Sequence, residues 1–292
     1  MTGAITDGPE QTTPPAPTKR RRGTNLPLVV GGTIVTLIAV VGIVSIFWTP
    51  YPPNLNSVAP QFAPFSAEHW LGGDVSGRDV LSRLMVGART TLLVGIVAVG
   101  IAMVIGVPLG IWAAMSRRWV SESVMRFNDL LLAFPALLLA IMLKSIYGAS
   151  TLISMVAIGI ATIPAFARVA RAGALQVLST DYIMAARAAG HGSFQIAWRH
   201  VLRGISSLII VQASIAFAIA ILAEAALSFL GLGTPPPNAT WGIMLLDSQA
   251  TLYKALSLGI IPGTAIALAV IGFNLLGDGL RDKLDVTLSE AR

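Results

Sequence analysis

The sequence has no cysteine, only three histidines and little charge: 12% of its 292 residues are Asp, Glu, Lys or Arg. Without Cys, disulfides and thiolate metal centres are excluded. His69, His191 and His200 are too few and too scattered for an evident metal site. A soluble domain carries about 25% charged residues. The shortage of charge, beside 54% hydrophobic residues, argues against a soluble, disordered or nucleic-acid-binding chain. Catalytic patterns are missing too. No GxxxxGK(S/T) phosphate loop, HExxH metal helix or GxSxG nucleophile turn occurs. No His falls in an apolar run to act as base for a Ser or Asp, which argues against an intramembrane hydrolase.

What is present is a set of long charge-free runs: Arg22 to Glu68, Arg89 to Arg117, Lys144 to Arg168, Arg203 to Glu224 and Lys254 to Asp278. A spanning helix needs roughly 20 apolar residues. The pattern predicts an all-α integral membrane protein with six transmembrane helices: Leu28–Trp48, Thr90–Met115, Leu130–Tyr147, Thr151–Ala167, Ile205–Phe229 and Leu256–Leu276. Pro27 suits the opening turn of the first. Lys144, near the end of the third, is expected to snorkel to the interface. The first apolar run is longer than the roughly 7–15 residues of a signal-peptide core, so it is read as an uncleaved helix. Residues 1–18, with Pro9, Pro14, Pro15 and Pro17, read as a disordered tail.

Orientation follows from the basic residues. With the N-terminus inside, 15 Lys and Arg fall on inner segments and 5 on outer ones: Arg78, Arg83, Arg89, Lys144 and Lys254. That bias places both termini in the cytoplasm. The expected organisation is a cytoplasmic tail (1–27), a first span (28–48) and an extracytoplasmic segment (49–89). A permease-like membrane domain (90–277) with a cytoplasmic loop (168–204) and a C-terminal tail (278–292) follow.

Within the spans, Gly106 and Gly110, and Gly259 and Gly263, form GxxxG pairs suited to close helix packing. Ala216, Ala218, Ala220, Ala223, Ala225 and Ala226 make the fifth span a small-residue helix for a tight bundle or a pathway wall. Pro108, Pro135, Pro164 and Pro262 sit inside spans, where neighbouring helices re-satisfy the freed carbonyls. Glu224 is the clearest intramembrane carboxylate, and with Ser228 it forms a candidate pathway or outer-gate position. One carboxylate without a partner His or second acid makes a poor proton relay, which counts against an ion-coupled transporter working alone.

The sharpest signal lies in the long inner loop. Asp181, Tyr182, Ile183, Met184, Ala185, Ala186, Arg187, Ala188 and Ala189 read as a short helix stopped by Gly190. Ser193 to Leu202 reads as a second helix leading back to the membrane. The first helix exposes small Ala residues beside Arg187, which suits docking into a partner's groove. Ala is a weak membrane anchor, so docking is preferred to a surface-lying helix.

Here the sequence resembles a known family. Ala185-Ala186, then Gly190, then His200-Val201-Leu202 match the "EAA" loop of binding-protein-dependent ABC importer permeases. Met184 stands where that loop usually has Glu, and Arg203 where it has Pro. His69–Arg83, Glu224–Gly233 with Trp241-Gly242, and Asn274–Asp285 resemble the "C" subunits of its peptide and nickel branch. The resemblance implies a type I importer permease fold and a bacterial inner-membrane location. It implies no enzyme activity or cofactor in this chain. The implied partners are a homologous permease, two ATPase subunits using ATP and Mg, and an extracytoplasmic binding protein. The implied ATPase contact is Asp181, Tyr182, Met184, Ala185, Ala186, Arg187, Ala188, Gly190 and His191. The implied cargo is a di- or oligopeptide, with nickel as the alternative. The His69–Arg83 stretch itself reads as a turn-rich linker in which Arg78 and Arg83 pair with Asp74 and Asp79.

Overall fold

A computed structural model describes residues 25–148, 150–235 and 237–290, with side chains for all but Ala136 and 285–290. The N-terminal tail to residue 24, which holds the expected disordered segment, lies outside the described residues, as do 291–292. The described residues are helical apart from turns and one isolated bridge, Gly73 to Asp79. Eleven α-helices occur: α1 (Leu26–Phe47), α2 (Val80–Met115), α3 (Arg118–Ala133), α4 (Ala136–Tyr147), α5 (Thr151–Leu178), α6 (Asp181–Ala188), α7 (Ser193–Ile196), α8 (Leu202–Gly204), α9 (Ser206–Phe229), α10 (Trp241–Gln249) and α11 (Ser257–Glu290). A π-helical turn, Ala197–Val201, joins α7 to α8.

Among the described residues five helices are long and apolar enough to cross a membrane: α1, α2, α5, α9 and α11. The expected third span, Leu130–Tyr147, is not one straight helix. It is replaced by the pair α3 and α4, which meet at 81° and count as a sixth span only when taken together. The cause is Pro135. A residue before proline is driven out of the helical region, and Phe134 sits at φ −83°, ψ 118°. Pro108, Pro164 and Pro262, by contrast, lie inside continuous helices.

Helices do not stop at the last apolar residue. α2 starts at Val80, ten residues before the expected span, because Asp79 caps it: its Oδ2 accepts from the Ser82 backbone N at 2.8 Å and from Ser82 Oγ at 2.7 Å. α5 runs to Leu178 and α11 to Glu290, past the charges used to mark their inner ends.

Small residues set the packing. α2 and α5 run parallel. A Cβ on Gly106 would lie 2.7 Å from Ile163 O, and one on Gly110 would lie 2.4 Å from Ala167 O. In a membrane such backbone approach replaces the hydrophobic drive available in water. The second GxxxG pair behaves otherwise: Gly259 faces the side chains of Leu252 and Ser248, and Gly263 that of Leu245, with no backbone approach. α1 runs antiparallel to α11, with Gly31 against Leu276 N and Gly279 against Leu28 N. Asn25 Nδ2 donates to Gly279 O at 3.1 Å. The first and last spans therefore begin and end on the same side. The alanine-rich α9 is a packed helix, with Ala216, Ala218, Ala220 and Ala225 buried.

Candidate functional site

The loop between α5 and α9 folds as a helix held by one side chain. α6 exposes Asp181, Tyr182, Met184, Ala185, Arg187 and Ala188, with Ala186 half-buried, and buries Ile183 completely. Ile183 enters a cluster with Ile196, Val201 and Ile205 of the loop and with Val107, Ile111 and Phe166 of α2 and α5. Burying such a side chain contributes about 1.5–3 kcal/mol. Ile183→Ala is accordingly expected to lower the stability of the loop by about 2–4 kcal/mol. Limited proteolysis between residues 178 and 204 should become markedly faster, while the rest of the bundle keeps its helicity. Ile183 was not among the residues expected to act at this site. Its signal in the sequence is that it is the one β-branched residue in an alanine-rich helix.

Gly190 ends α6 as expected. Its φ is +84°, a region that L side chains avoid. Its N–H donates to Arg187 O at 3.0 Å, and His191 N donates to Ala186 O at 3.1 Å. These two bonds make a Schellman stop. Asp181 in the first turn and Arg187 in the last complement the helix dipole. The return helix carries the π turn, which places His200 among the rings: 5.9 Å from His191 and 6.1 Å from Tyr182, centroid to centroid. Gly204 meets Val177 and so draws the return helix onto α5. The result is an exposed small-residue face tied to the C-terminal ends of α2 and α5 and the start of α9. Arg168 and Arg171 belong to α5 rather than to a loop. Arg168 pairs with Asp129, and Arg171 Nε donates to Ser121 Oγ at 2.9 Å, which fastens α3 to α5.

Glu224 and Ser228 lie at the other end of α9, about 27 and about 33 Å from its start by helical rise. Both are buried, and Ser228 Oγ donates to Glu224 Oε1 at 2.6 Å. The loop after α9 closes over them. A Cβ on Gly233 would fall 2.3 Å from Ser228 Cα, and one on Gly242 2.6 Å from Ser228 Cβ. Lys144 is buried rather than snorkelling: its Nζ donates to Gly233 O at 2.8 Å. Trp241 completes the lid, donating from Nε1 to Leu84 O at 3.0 Å.

A third cluster fixes the segment between α1 and α2. Asp74 Oδ1 accepts from Ser76 N and Arg78 N at 2.8 and 2.9 Å, and Oδ2 accepts from Arg78 Nε at 2.7 Å. Arg83, 1% exposed, lies 3.7 Å from Asp74 Oδ2 and 3.5 Å from Asp247 Oδ2. Arg78 Nη2 reaches Asp247 at 2.9 Å. The arginines therefore pair with Asp74 and with Asp247 of α10. Asp79 pairs with His69 instead, Oδ1 to Nδ1 at 3.0 Å. Asp247 was legible only as the lone acid of the apolar α10 run. Among the described residues no group of three or more His, Cys, Asp or Glu could hold a metal ion.

The family model for the binding-protein-dependent transport system inner membrane component matches residues 106–289, which include α6, Glu224 and Ser228. A dipeptide transport system permease protein, DppC, of Alkalihalophilus pseudofirmus is 40% identical over 88% of this chain and 84% of its own. A glutathione transport system permease protein, GsiD, of Pectobacterium atrosepticum is 44% identical over 76% and 74%. A di/tripeptide permease protein, DppC, of Pseudomonas aeruginosa is 38% identical over 90% and 89%. Among solved structures, an inward-facing MetNI methionine ABC transporter chain superposes with a TM-score of 0.58 at 19% identity, over 67% of this chain and 93% of that one. That likeness concerns the fold.

Proposed function

Because the chain belongs to the family of binding-protein-dependent transport system inner membrane components, we infer that its exposed α6 is the point where an ATPase subunit drives it. The chain is a multi-pass inner-membrane permease subunit of an ABC importer, and ATP hydrolysis belongs to a separate subunit. Its cargo class is peptide. The relatives described above are named for dipeptides, tripeptides and glutathione, which disfavours nickel.

The observation that carries the coupling role is the division within α6. Ile183 is locked into the bundle, while Tyr182, Met184, Ala185, Arg187 and Ala188 face outward. A groove on the ATPase gripping that face would pull directly on the core shared by α2, α5 and α9. In the full assembly, a second permease completes the pathway and two ATPase subunits bind ATP and Mg. A binding protein delivers the peptide from outside. Closure of the ATPase pair moves the α6 helices, and the spans rock about the pathway. Glu224, Ser228 and the loop over them would form the outer closure. On this reading both termini and α6 face the cytoplasm, following the basic-residue bias.

Purification of the tagged chain in detergent should recover an ATPase, a second permease and a binding protein. Proteoliposomes of that assembly should take up di- and tripeptides on ATP addition and not nickel. Purification of the chain alone, with uptake driven by an ion gradient, would contradict the assignment.

A further inference from the structure

The end of the bundle opposite α6 holds a cation that packing alone does not explain. Lys144 of α4 is 7% exposed, yet it has no ion pair among the described residues. Its Nζ donates at 2.8 Å to the carbonyl of Gly233, 89 positions away in the chain. An ammonium carries three donors, so this bond leaves it capacity to spare. Glu224 of α9 is the complementary case. It is 1% exposed, and its Oε1 accepts from Ser228 Oγ at 2.6 Å. Its Oε2 is buried with no hydrogen-bond partner among the described residues. A buried acceptor left unpaired costs the protein its lost hydration.

Both charges grip the same piece of chain. Ala140 and Leu143 of α4 share an apolar cluster with Ala223 and Leu227 of α9, which brings Lys144 and Glu224 to one level of the bundle. Gly233 stands between them. Its carbonyl meets Lys144, and its other side is pressed on Ser228, where a Cβ would collide with Oγ. The remaining side-chain ties of this loop to its surroundings are neutral: Thr151 Oγ1 to Thr234 Oγ1 at 3.1 Å, Thr90 Oγ1 to Ala239 O at 3.3 Å and Trp241 Nε1 to Leu84 O at 3.0 Å. The Lys144 bond is the charge-assisted one, roughly twice as strong as a neutral bond.

We propose that Lys144 is a latch with two alternative acceptors: Gly233 O while the loop is down, and Glu224 Oε2 once the loop has lifted. The proposal rests on the reading of Glu224, Ser228 and this loop as the outer closure, and it gives that closure its moving contact. Opposite charges in a medium of low dielectric attract strongly, and the closed loop keeps this pair apart. Lifting exchanges a hydrogen bond for an ion pair, so the ammonium is bare in neither state. A side chain with two competing acceptors supplies the two discrete arrangements that alternating access needs.

The absence of native cysteine allows the loop to be watched directly. Ala239, fully buried in the loop, is changed to Cys in the importer assembled with its ATPase and binding protein in nanodiscs. The rate at which a charged methanethiosulfonate labels this chain then reads how often the loop lifts. ATP with peptide-loaded binding protein should speed labelling. Lys144→Met, which keeps the length of the side chain, should raise labelling without ATP about tenfold, because the closed loop loses its charged tie. Glu224→Gln should leave that resting rate near its unaltered value and cut the ATP-driven rate several-fold, because the lifted loop has lost its acceptor. The double variant should behave like Lys144→Met. Residues that merely pack the loop down would both raise the resting rate, so a rise in both single variants overturns the latch. A resting rate unmoved by Lys144→Met overturns it too. Should Lys144→Met fail to assemble, Glu224→Gln decides alone, and an unchanged ATP-driven rate overturns the exchange. Failure of the outer-closure reading looks different: ATP and loaded binding protein would drive peptide uptake without changing the labelling of Ala239→Cys in the otherwise unaltered chain.

Discussion

Arginine in place of Gly190 is expected to cut peptide uptake at least about tenfold while leaving membrane insertion and assembly intact. The reasoning begins at the backbone. Gly190 sits at φ +84°, where an L residue costs about 1–2 kcal/mol, and 1.4 kcal/mol is a factor of about ten. Relaxing that strain means giving up the Gly190 N to Arg187 O and His191 N to Ala186 O bonds, which end α6 and turn the chain toward the π turn. A Cβ at Gly190 meets nothing within 4 Å in this chain, so intramolecular crowding is not the cause. Three variants separate the contributions. Gly190→Asn, which tolerates the left-handed region, should retain most uptake. Gly190→Ala should show the backbone strain alone, and Gly190→Arg should add bulk at the ATPase contact. ATPase stimulation by loaded binding protein should fall in the same order. Wild-type uptake in the Arg variant, or an Asn variant as defective as Arg, would contradict this role.

Removing the Asp74 carboxylate should produce the largest loss of stability. Asp74 accepts from two backbone N–H groups and from Arg78, and it faces Arg83, which is almost wholly enclosed. Breaking one partner of a buried ion pair is destabilising by about 3–5 kcal/mol, because the remaining charge is left without compensation. Arg83 Nη1 already lacks a partner among the described residues, so little reserve exists to absorb the loss. Asp74→Ala should therefore lower the melting midpoint in detergent by several degrees and loosen the junction of the outer segment with α2 and α10. Asp247→Ala should have a smaller effect, since Asp247 is about one-third exposed and water can replace its contacts. Equal melting of Asp74→Ala and wild type would show that the cluster is not structural.

The legible parts of this fold are those governed by local chemistry. Charge-free runs located the five straight spans because lipid tolerates few ions. Gly106 and Gly110 announced a close helix contact, though not that its partner is α5, and Gly190 announced the end of α6. The bend at Pro135 was hidden because the apolar run continues through it. The inner extensions of α5 and α11 were missed because a helix need not end where the lipid does. Contacts between distant segments left no mark in the sequence. Lys144 looked like an interfacial lysine, yet it donates to Gly233 across the bundle. Asp79, expected to pair with an arginine, pairs with His69, while the arginines find Asp247. At the candidate site, the exposed face of α6 could be read from its alanines and arginine. Ile183, which makes that face a handle on the bundle, stands out in the sequence only as the one β-branched residue of the helix, and what it packs against shows only in the core.

The coupling role of α6 is open to direct chemical test. A single Cys replacing exposed Arg187 provides a unique thiol in a chain that has none. In membranes containing the whole importer, a short thiol-to-amine crosslinker should join this position to the ATPase subunit, and ATP should change the yield. A membrane-impermeant thiol reagent added from outside should not reach it. Labelling from outside, or the absence of any ATPase adduct with an assembled importer, would contradict the placement of α6 as the ATPase contact.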